Sequence, residues 1–513
     1  MAPYDLFAAL RGGFPARLDD VAIETLDGPK GPLYYTWRDL DRASARIANL
    51  LDALDIEADA RIAVHTEKSV EALMLYLGVL RSGRVYLPLN TAYQASEMAY
   101  FIDNAQPQVV VCCGRDHSWL SKIAFRSGTP YVFTLNEDIT GTLLDRAAAY
   151  PDTHTPARRQ SDDLAAILYT SGTTGRSKGA MLTHGNLLSN AQVLQRYWGW
   201  QPSDVLIHAL PIFHVHGLFV AIHGALINGS RMLWLSKFDS RTVISRLSEA
   251  TVFMGVPTLY VRMLADSTLT RQACGHMRLF ISGSAPLLKE THQAWEQRTG
   301  HVILERYGMS ETVMLTSNPY FPTDGQRVAG TVGFALPGVE VRIRDAQGHD
   351  LERGDIGGIE VRGPNIFKGY WNMLEKTAED FTADGWFKTG DVGQMDSHGR
   401  LTIVGRSKDL IISGGYNVYP AEVESFLNEM PGVAESAVVG VAHPDFGEAV
   451  VAVVIPKPAA HLESASMIEA LKSKIARFKV PKQLFVLEDL PRNAMGKVQK
   501  NVLRDRYKGL FAA

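Results

Sequence analysis

Short aliphatic and β-branched runs alternate with longer amphipathic stretches over the first two-thirds of the chain. Residues 61–65 (Arg-Ile-Ala-Val-His), 108–112 (Gln-Val-Val-Val-Cys) and 164–168 (Leu-Ala-Ala-Ile-Leu) have the length and composition of buried strands. Between the first two, Val70, Leu73, Leu77 and Leu80 recur at helical spacing behind Ser69, a residue suited to capping a helix start, so a helix is predicted over 69–81. Further strands are expected at 205–210, 252–256 and 278–282. Strand–helix alternation of this kind predicts layered α/β structure.

From about 330 to 405 the pattern changes. Residues 340–344 and 358–362 alternate polar and apolar, a turn-like stretch lies at 346–349, and 400–404 follows Ser397-His-Gly399. These are hairpin signatures and predict a small β-rich subdomain. Beyond Arg406, short strand patterns such as 436–441 mix with helix-like stretches such as 466–477. At 513 residues the chain calls for more than one core.

With 52 basic against 55 acidic residues, nothing favours a nucleic-acid or anionic-membrane partner, so any anion site is a local arrangement. The three cysteines show no metal-binding spacing, and Cys112-Cys113 closes an apolar run as small core residues would. No apolar run reaches the ~18 residues of a membrane span. Met1-Ala-Pro-Tyr lacks a secretory pattern and Phe511-Ala-Ala513 is not a peroxisomal tripeptide, so a cytoplasmic enzyme is expected.

The densest chemistry lies in Tyr169-Thr-Ser-Gly-Thr-Thr-Gly-Arg-Ser-Lys178-Gly179, directly after the strand at 164–168. Glycines let backbone N–H groups approach a phosphate, hydroxyls donate to it, and a lysine adds a point charge. The spacing is not that of a Walker A loop, because a serine precedes the lysine and a glycine follows it.

This loop resembles the phosphate loop of the acyl-adenylate-forming superfamily of acyl-CoA synthetases and adenylation domains. Four further motifs in the same order strengthen the resemblance: Tyr307-Gly-Met-Ser-Glu311, with Ser310 where threonine is usual; Trp386-Phe-Lys-Thr-Gly-Asp391; Gly405-Arg-Ser-Lys-Asp409 followed by 411–420; and Pro491-Arg-Asn-Ala-Met-Gly-Lys497. The resemblance implies an N-terminal domain at 1–407, made of layered α/β sheets with the β-rich subdomain. It also implies a small mobile α+β domain at 408–513, hinged at Lys408. The implied cofactors are ATP, Mg²⁺ and coenzyme A.

In such enzymes a carboxylate attacks the α-phosphorus of ATP, and a thiol then displaces AMP. Catalysis is mainly positioning and charge stabilisation. The resemblance gives Thr170, Ser171, Gly172, Thr173, Thr174, Gly175 and Lys178 to the phosphates. Glu311 and Thr170 go to the metal. Gly283, Ser284, Ala285, Glu305, Arg306, Tyr307, Gly308 and Ser310 go to the nucleotide, with the Tyr307 ring against adenine. Asp391 and Arg406 go to the ribose, Gly414 and Gly415 to the pantetheine path, and Lys497 to the charge that develops during adenylation. A lysine acetyltransferase acting on Lys497 would be a regulatory partner, since neutralising that charge removes its function.

For the acid, Pro211-Ile-Phe-His214-Val-His216 carries two imidazoles, and Arg278 opens the segment that ends at Ser282-Gly-Ser284. Such groups suit a second substrate carboxylate better than a fatty acyl chain. Segments at 66–73, 86–93, 175–182, 208–217 and 276–286 resemble bacterial malonyl-CoA synthetases. That implies malonate, with methylmalonate as a further acid, held by Arg278 with His214 or His216 and Ser282. Alternatives are an aryl- or medium-chain acyl-CoA ligase, with an apolar pocket, and an adenylation module that loads a carrier protein.

Overall fold

The computed structural model describes residues 5–27, 31–170, 177–414, 416–493 and 496–511. The chain divides into two compact units, one formed by Met1–Glu340 with Arg362–Phe387 and the other by Val341–Val361 with Lys388–Ala513.

Two sheets organise the first unit. In the six-stranded sheet the order is Tyr131–Thr134, Val109–Cys112, Arg61–His65, Val85–Pro88, Leu164–Thr170, Lys178–Thr183. All its pairings are parallel except the last. The nine-stranded sheet has a parallel centre: Leu304–Tyr307, Leu279–Ser282, Val252–Gly255, Val205–His208, Arg231–Trp234, Val21–Thr25. Short antiparallel strands close both edges. Val252–Gly255 and Leu279–Ser282 are buried throughout, as expected where helices cover both faces of a parallel sheet.

The expected helix is Val70–Arg81, and the Ser69 hydroxyl accepts the Ala72 N–H at its start. It is not amphipathic in the finished fold, since every one of its residues is buried. Two of its polar members find partners within the protein. Glu71 accepts the Tyr35 hydroxyl at 2.6 Å, and Arg81 donates to Asp41 and to the His154 carbonyl. The strand expectations also hold, with trimmed ends: 205–210 becomes Val205–His208 and 252–256 becomes Val252–Gly255. Cys112, Cys113 and Cys274 are buried, and burial raises their thiol pKa values, to about 12 for Cys112 and about 11 for Cys274.

In the second unit a four-stranded sheet runs Glu340–Arg344, Ile356–Arg362, Phe387–Met395, Leu401–Arg406. A separate sheet centres on the long antiparallel pair Val433–His443 and Gly447–Pro456. Side chains alternate along this pair. Val438, Val450, Ala452 and Val454 pack under the helices Pro420–Asn428 and Ser464–Lys472. Val439, Val441, Val451 and Val453 pack with Leu503 and Tyr507 of the helix Lys500–Tyr507. The helix-like stretch at 466–477 ends earlier than its pattern suggests, at Lys472. Among the described residues no helix is long and apolar enough to cross a membrane.

Candidate active site

Where strands of an open α/β sheet end, their carboxyl termini line a crevice. Leu279–Ser282 and Leu304–Tyr307 lie side by side with Ser282 opposite Glu305. Gly283 and Ser284 follow the first strand. A Cβ at Gly283 would sit 2.4 Å from the Arg306 guanidinium carbon, so only glycine lets that guanidinium lie flat on the backbone there. Ser284 holds φ +71°, a strained value for a residue with a side chain, and its hydroxyl meets His216 Nδ1 at 3.3 Å.

Arg306 is the most informative side chain of this region. It is 3% exposed, and its Nε and Nη2 have no hydrogen-bond partner among the described residues. Burial alone brings its pKa down to about 9. His216 is wholly buried at the start of the π-helix His216–Ile222, and its Nε2 also lacks a partner among the described residues. Burial, then the neighbouring Arg306 and His214, keep this imidazole neutral. The Ser282 hydroxyl is buried and likewise unpartnered among the described residues. Arg306 and the His216 imidazole are thus desolvated near one strand end, an arrangement that is unfavourable until an acceptor arrives, whereas Ser282, the register partner of Glu305, lies on the other face of the sheet from Arg306. His214 and His216 share neither a strand nor a helix face, since the His216 N–H donates to His214 Nδ1 at 3.2 Å across a turn.

Arg278 requires a correction. Its fork is taken by Asp204, with Nε to Oδ1 at 2.7 Å and Nη2 to Oδ2 at 2.5 Å. Nη1 donates to the Trp198 carbonyl, and the guanidinium lies 5.0 Å from the Tyr320 ring centre. It is a structural ion pair at the beginning of a strand. Four residues of extended chain, about 13 Å, separate Arg278 from the crevice end at Ser282. The strand direction was the missing signal: position 306, near the carboxyl end of the adjacent strand, faces the crevice, and position 278 does not.

The expected phosphate residues lie on the six-stranded sheet, and Glu311 lies in the turn that follows Leu304–Tyr307 of the nine-stranded one. Thr170 and Lys178 are register partners on adjacent antiparallel strands, and residues 171–176, which include Ser171, Gly172, Thr173, Thr174 and Gly175, lie outside the described residues. Lys178 Nζ is 3.5 Å from Asp380 Oδ2 and 4.1 Å from the centre of the Tyr370 ring. Tyr370 donates its hydroxyl to Glu311 Oε1 at 3.1 Å. Glu311 is 5% exposed. Neither Tyr370 nor Asp380 stands out in the sequence, because aromatic and acidic residues of the 370–380 stretch read as ordinary surface composition. Tyr307 is half-buried, and Gly308 is held where a Cβ would lie 1.9 Å from the Val313 carbonyl oxygen. Glu305 accepts the Gly330 N–H at 3.1 Å, and burial raises its carboxyl pKa to about 8. Ser310 is half-buried beside Glu311, and Ala285 follows Ser284 at the crevice edge.

The second unit groups its own expected residues. Asp391 and Arg406 are register partners on antiparallel strands, joined by a 2.8 Å ion pair. Lys408 stands in the turn Ser407–Asp409, and Arg504 pairs with Asp409. Partial desolvation, with Arg406, Lys497 and Arg504 nearby, brings Lys408 down to about 8. The Asn493 side chain accepts the Lys497 N–H at 2.9 Å. Crowding by protein atoms, then Arg406, lowers the Lys497 ammonium pKa. Gly414 adopts φ +58°, and Gly415 lies outside the described residues.

A family model for AMP-binding enzymes matches residues 16–371, and one for the C-terminal domain of AMP-binding enzymes matches 422–497. The chain belongs to the AMP-binding enzyme family. Within the family it is 38% identical over 482 residues to a malonate–CoA ligase of Arabidopsis thaliana, covering 87% of this chain and 78% of that one. An indoleacetate–CoA ligase of Aromatoleum aromaticum is 34% identical over 497 residues, with 93% and 95% covered. Among solved structures, ATP-bound MatB from Rhodopseudomonas palustris superposes with a TM-score of 0.95 at 52% identity, covering 99% of this chain and 100% of that chain.

Proposed function

We propose that this enzyme is an acid–thiol ligase that activates malonate with ATP and transfers it to coenzyme A, releasing AMP and pyrophosphate. Similarity to malonate–CoA ligases and to MatB supports the acid. The observation that carries it in this chain is Arg306: a buried guanidinium whose Nε and Nη2 have no partner among the described residues, near neutral His216. One malonate carboxylate bound there would satisfy both groups and leave the other to attack phosphorus. A monocarboxylate with an apolar tail would leave them unsatisfied.

The roles follow from residue chemistry. Lys178, Thr170 and the loop 171–176 hold the phosphates. Glu311 with Thr170 offers oxygen donors to Mg²⁺. Mg²⁺ is commonly held by one or two protein oxygens together with substrate phosphates, and Glu311 with Thr170 would supply such oxygens. When bound, such an ion neutralises phosphate charge. Tyr307 offers a ring to adenine, and Asp391 with Arg406 offers an acceptor and a donor to the ribose. Lys497 supplies positive charge where the phosphorane develops, Lys408 is the hinge between the 1–407 and 408–513 domains, and Gly414 with Gly415 lines the pantetheine path.

The deciding experiment is CoA-dependent AMP formation with malonate, methylmalonate, acetate, octanoate and 4-coumarate, on wild type, Arg306→Met and Arg278→Met. Malonate activity lost in Arg306→Met, with Arg278→Met changing stability rather than acid preference, supports the reading. Octanoate or coumarate turnover that survives Arg306→Met would discard malonate.

A further inference from the structure

A single segment ties the strand that follows the phosphate loop to the turn that bears Glu311. The Lys368 N–H donates to the Met181 carbonyl, the Met181 N–H to Gly369, and the Trp371 N–H to Gly179, so residues 368–371 strap onto the strand Lys178–Thr183. On the other side the Phe367 N–H donates to the Glu311 carbonyl at 2.8 Å, and Asn365 Nδ2 donates to the carbonyls of Thr312 and Met314. Tyr370 sits in the middle of this strap, 2% exposed, with its ring against Phe367 at 4.8 Å.

Its two ends touch two different functional groups. The hydroxyl donates to Glu311 Oε1 at 3.1 Å, and the ring face holds Lys178 Nζ at 4.1 Å from its centre. An ammonium over an aromatic face is attracted by the ring quadrupole, more strongly when partly desolvated. The donated hydrogen bond stabilises the carboxylate and constrains its orientation. Asp380 completes the group. It is 3.5 Å from Lys178 and also pairs with Lys376 at 2.9 Å.

We propose that Tyr370 is a positioning residue that sets the Lys178 ammonium and the Glu311 carboxylate at a fixed separation to receive a metal-bound triphosphate, with Asp380 holding Lys178 in place until the phosphates displace it. This rests on the phosphate and metal roles given above to Lys178 and Glu311. The two ends act separately. The hydroxyl works through the carboxylate and so through the metal, whereas the ring works through the ammonium and so through the phosphates.

The test is equilibrium binding of ATP to the intact chain without acid or CoA, once with excess Mg²⁺ and once with EDTA. Tyr370→Phe keeps the ring. It should weaken binding with Mg²⁺ about 5- to 10-fold and leave metal-free binding within about 2-fold. Tyr370→Leu should weaken both, and Asp380→Asn should tighten metal-free binding several-fold. A Phe variant that binds Mg²⁺-ATP like wild type overturns the proposal. So does one that weakens both forms equally, which is what loss of packing alone would give. Unchanged metal-free binding in Asp380→Asn would remove Asp380 from it. Malonate-dependent AMP release by wild type is measured alongside. Its failure would count against the acid and would leave the ATP-binding comparison to judge Tyr370.

Discussion

Arg306 shows how much one buried charge can determine. Replacing it with methionine removes both the desolvated cation and the partner of a second substrate carboxylate. A charge-assisted contact of this kind is worth about 3 kcal/mol, so malonate kcat/KM should fall about 100-fold or more while thermal stability holds or rises. Steady-state kinetics with a melting curve checks both halves. Arg278→Met is expected to do the reverse. It leaves Asp204 buried without its fork, so the melting temperature drops while the ratio of malonate to acetate turnover persists. Glu305 gives a pH signature. Its folded pKa of about 8 lies above the ordinary 4.5, so between those values the unfolded chain has released a proton that the folded chain retains. The folded state therefore loses stability from this group as pH rises from about 4.5 to 8. Glu305→Gln keeps an acceptor for the Gly330 N–H and should stabilise the protein progressively across that window in melting curves. Equal pH profiles for the two proteins would refute the raised pKa.

Elements were legible where a hydrophobic period had no competitor. The strands at 61–65, 109–112, 164–170 and 279–282 and the helix at 70–81 follow from composition and from the Ser69 cap. The surroundings of that helix were not legible, because spacing reports a preferred face and not the number of layers packed on it. The π-helix at 216–222 was hidden for another reason. A Cβ at Gly217 would lie 2.1 Å from the Pro211 carbonyl oxygen, so the local backbone is set by a contact that no propensity records. The motifs put Arg278 in the acid pocket, whereas the structure pairs it with Asp204, since a motif gives order along the chain and not direction along a strand. The turn after Leu304–Tyr307 offers an element-scale test. Gly308→Ala puts a methyl 1.9 Å from the Val313 carbonyl and must move the turn that carries Glu311. A destabilisation of about 1–3 kcal/mol is expected, with adenylation reduced more than stability predicts. Pyrophosphate-release assays compared with chemical denaturation measure the two effects.

At the scale of the whole molecule, the imidazoles in the core set the acid limit. Burial depresses His184 to about 4 and His223 to about 3, below the ordinary 6.5. Unfolded chains take up these protons from about pH 6.5 downward while the folded state refuses them, so stability is lost as pH falls from 6.5 toward 4. Denaturation midpoints at pH 7.5 and 5.0 should differ in that direction, and His223→Gln should narrow the difference. The role proposed for Lys497 is tested by separating the two chemical steps. Lys497→Ala should abolish malonate-dependent pyrophosphate release, yet still convert supplied malonyl-adenylate and CoA to thioester. Loss of both reactions would refute a role confined to adenylation. The thiols lead to a practical end. Cys112, Cys113 and Cys274 are all buried and all poorly ionised, so maleimide and disulfide reagents should leave the native enzyme untouched. A single cysteine introduced on the surface of each unit can then carry a fluorophore with the native three in place, and the distance between dyes can be followed through a catalytic cycle in otherwise unmodified protein.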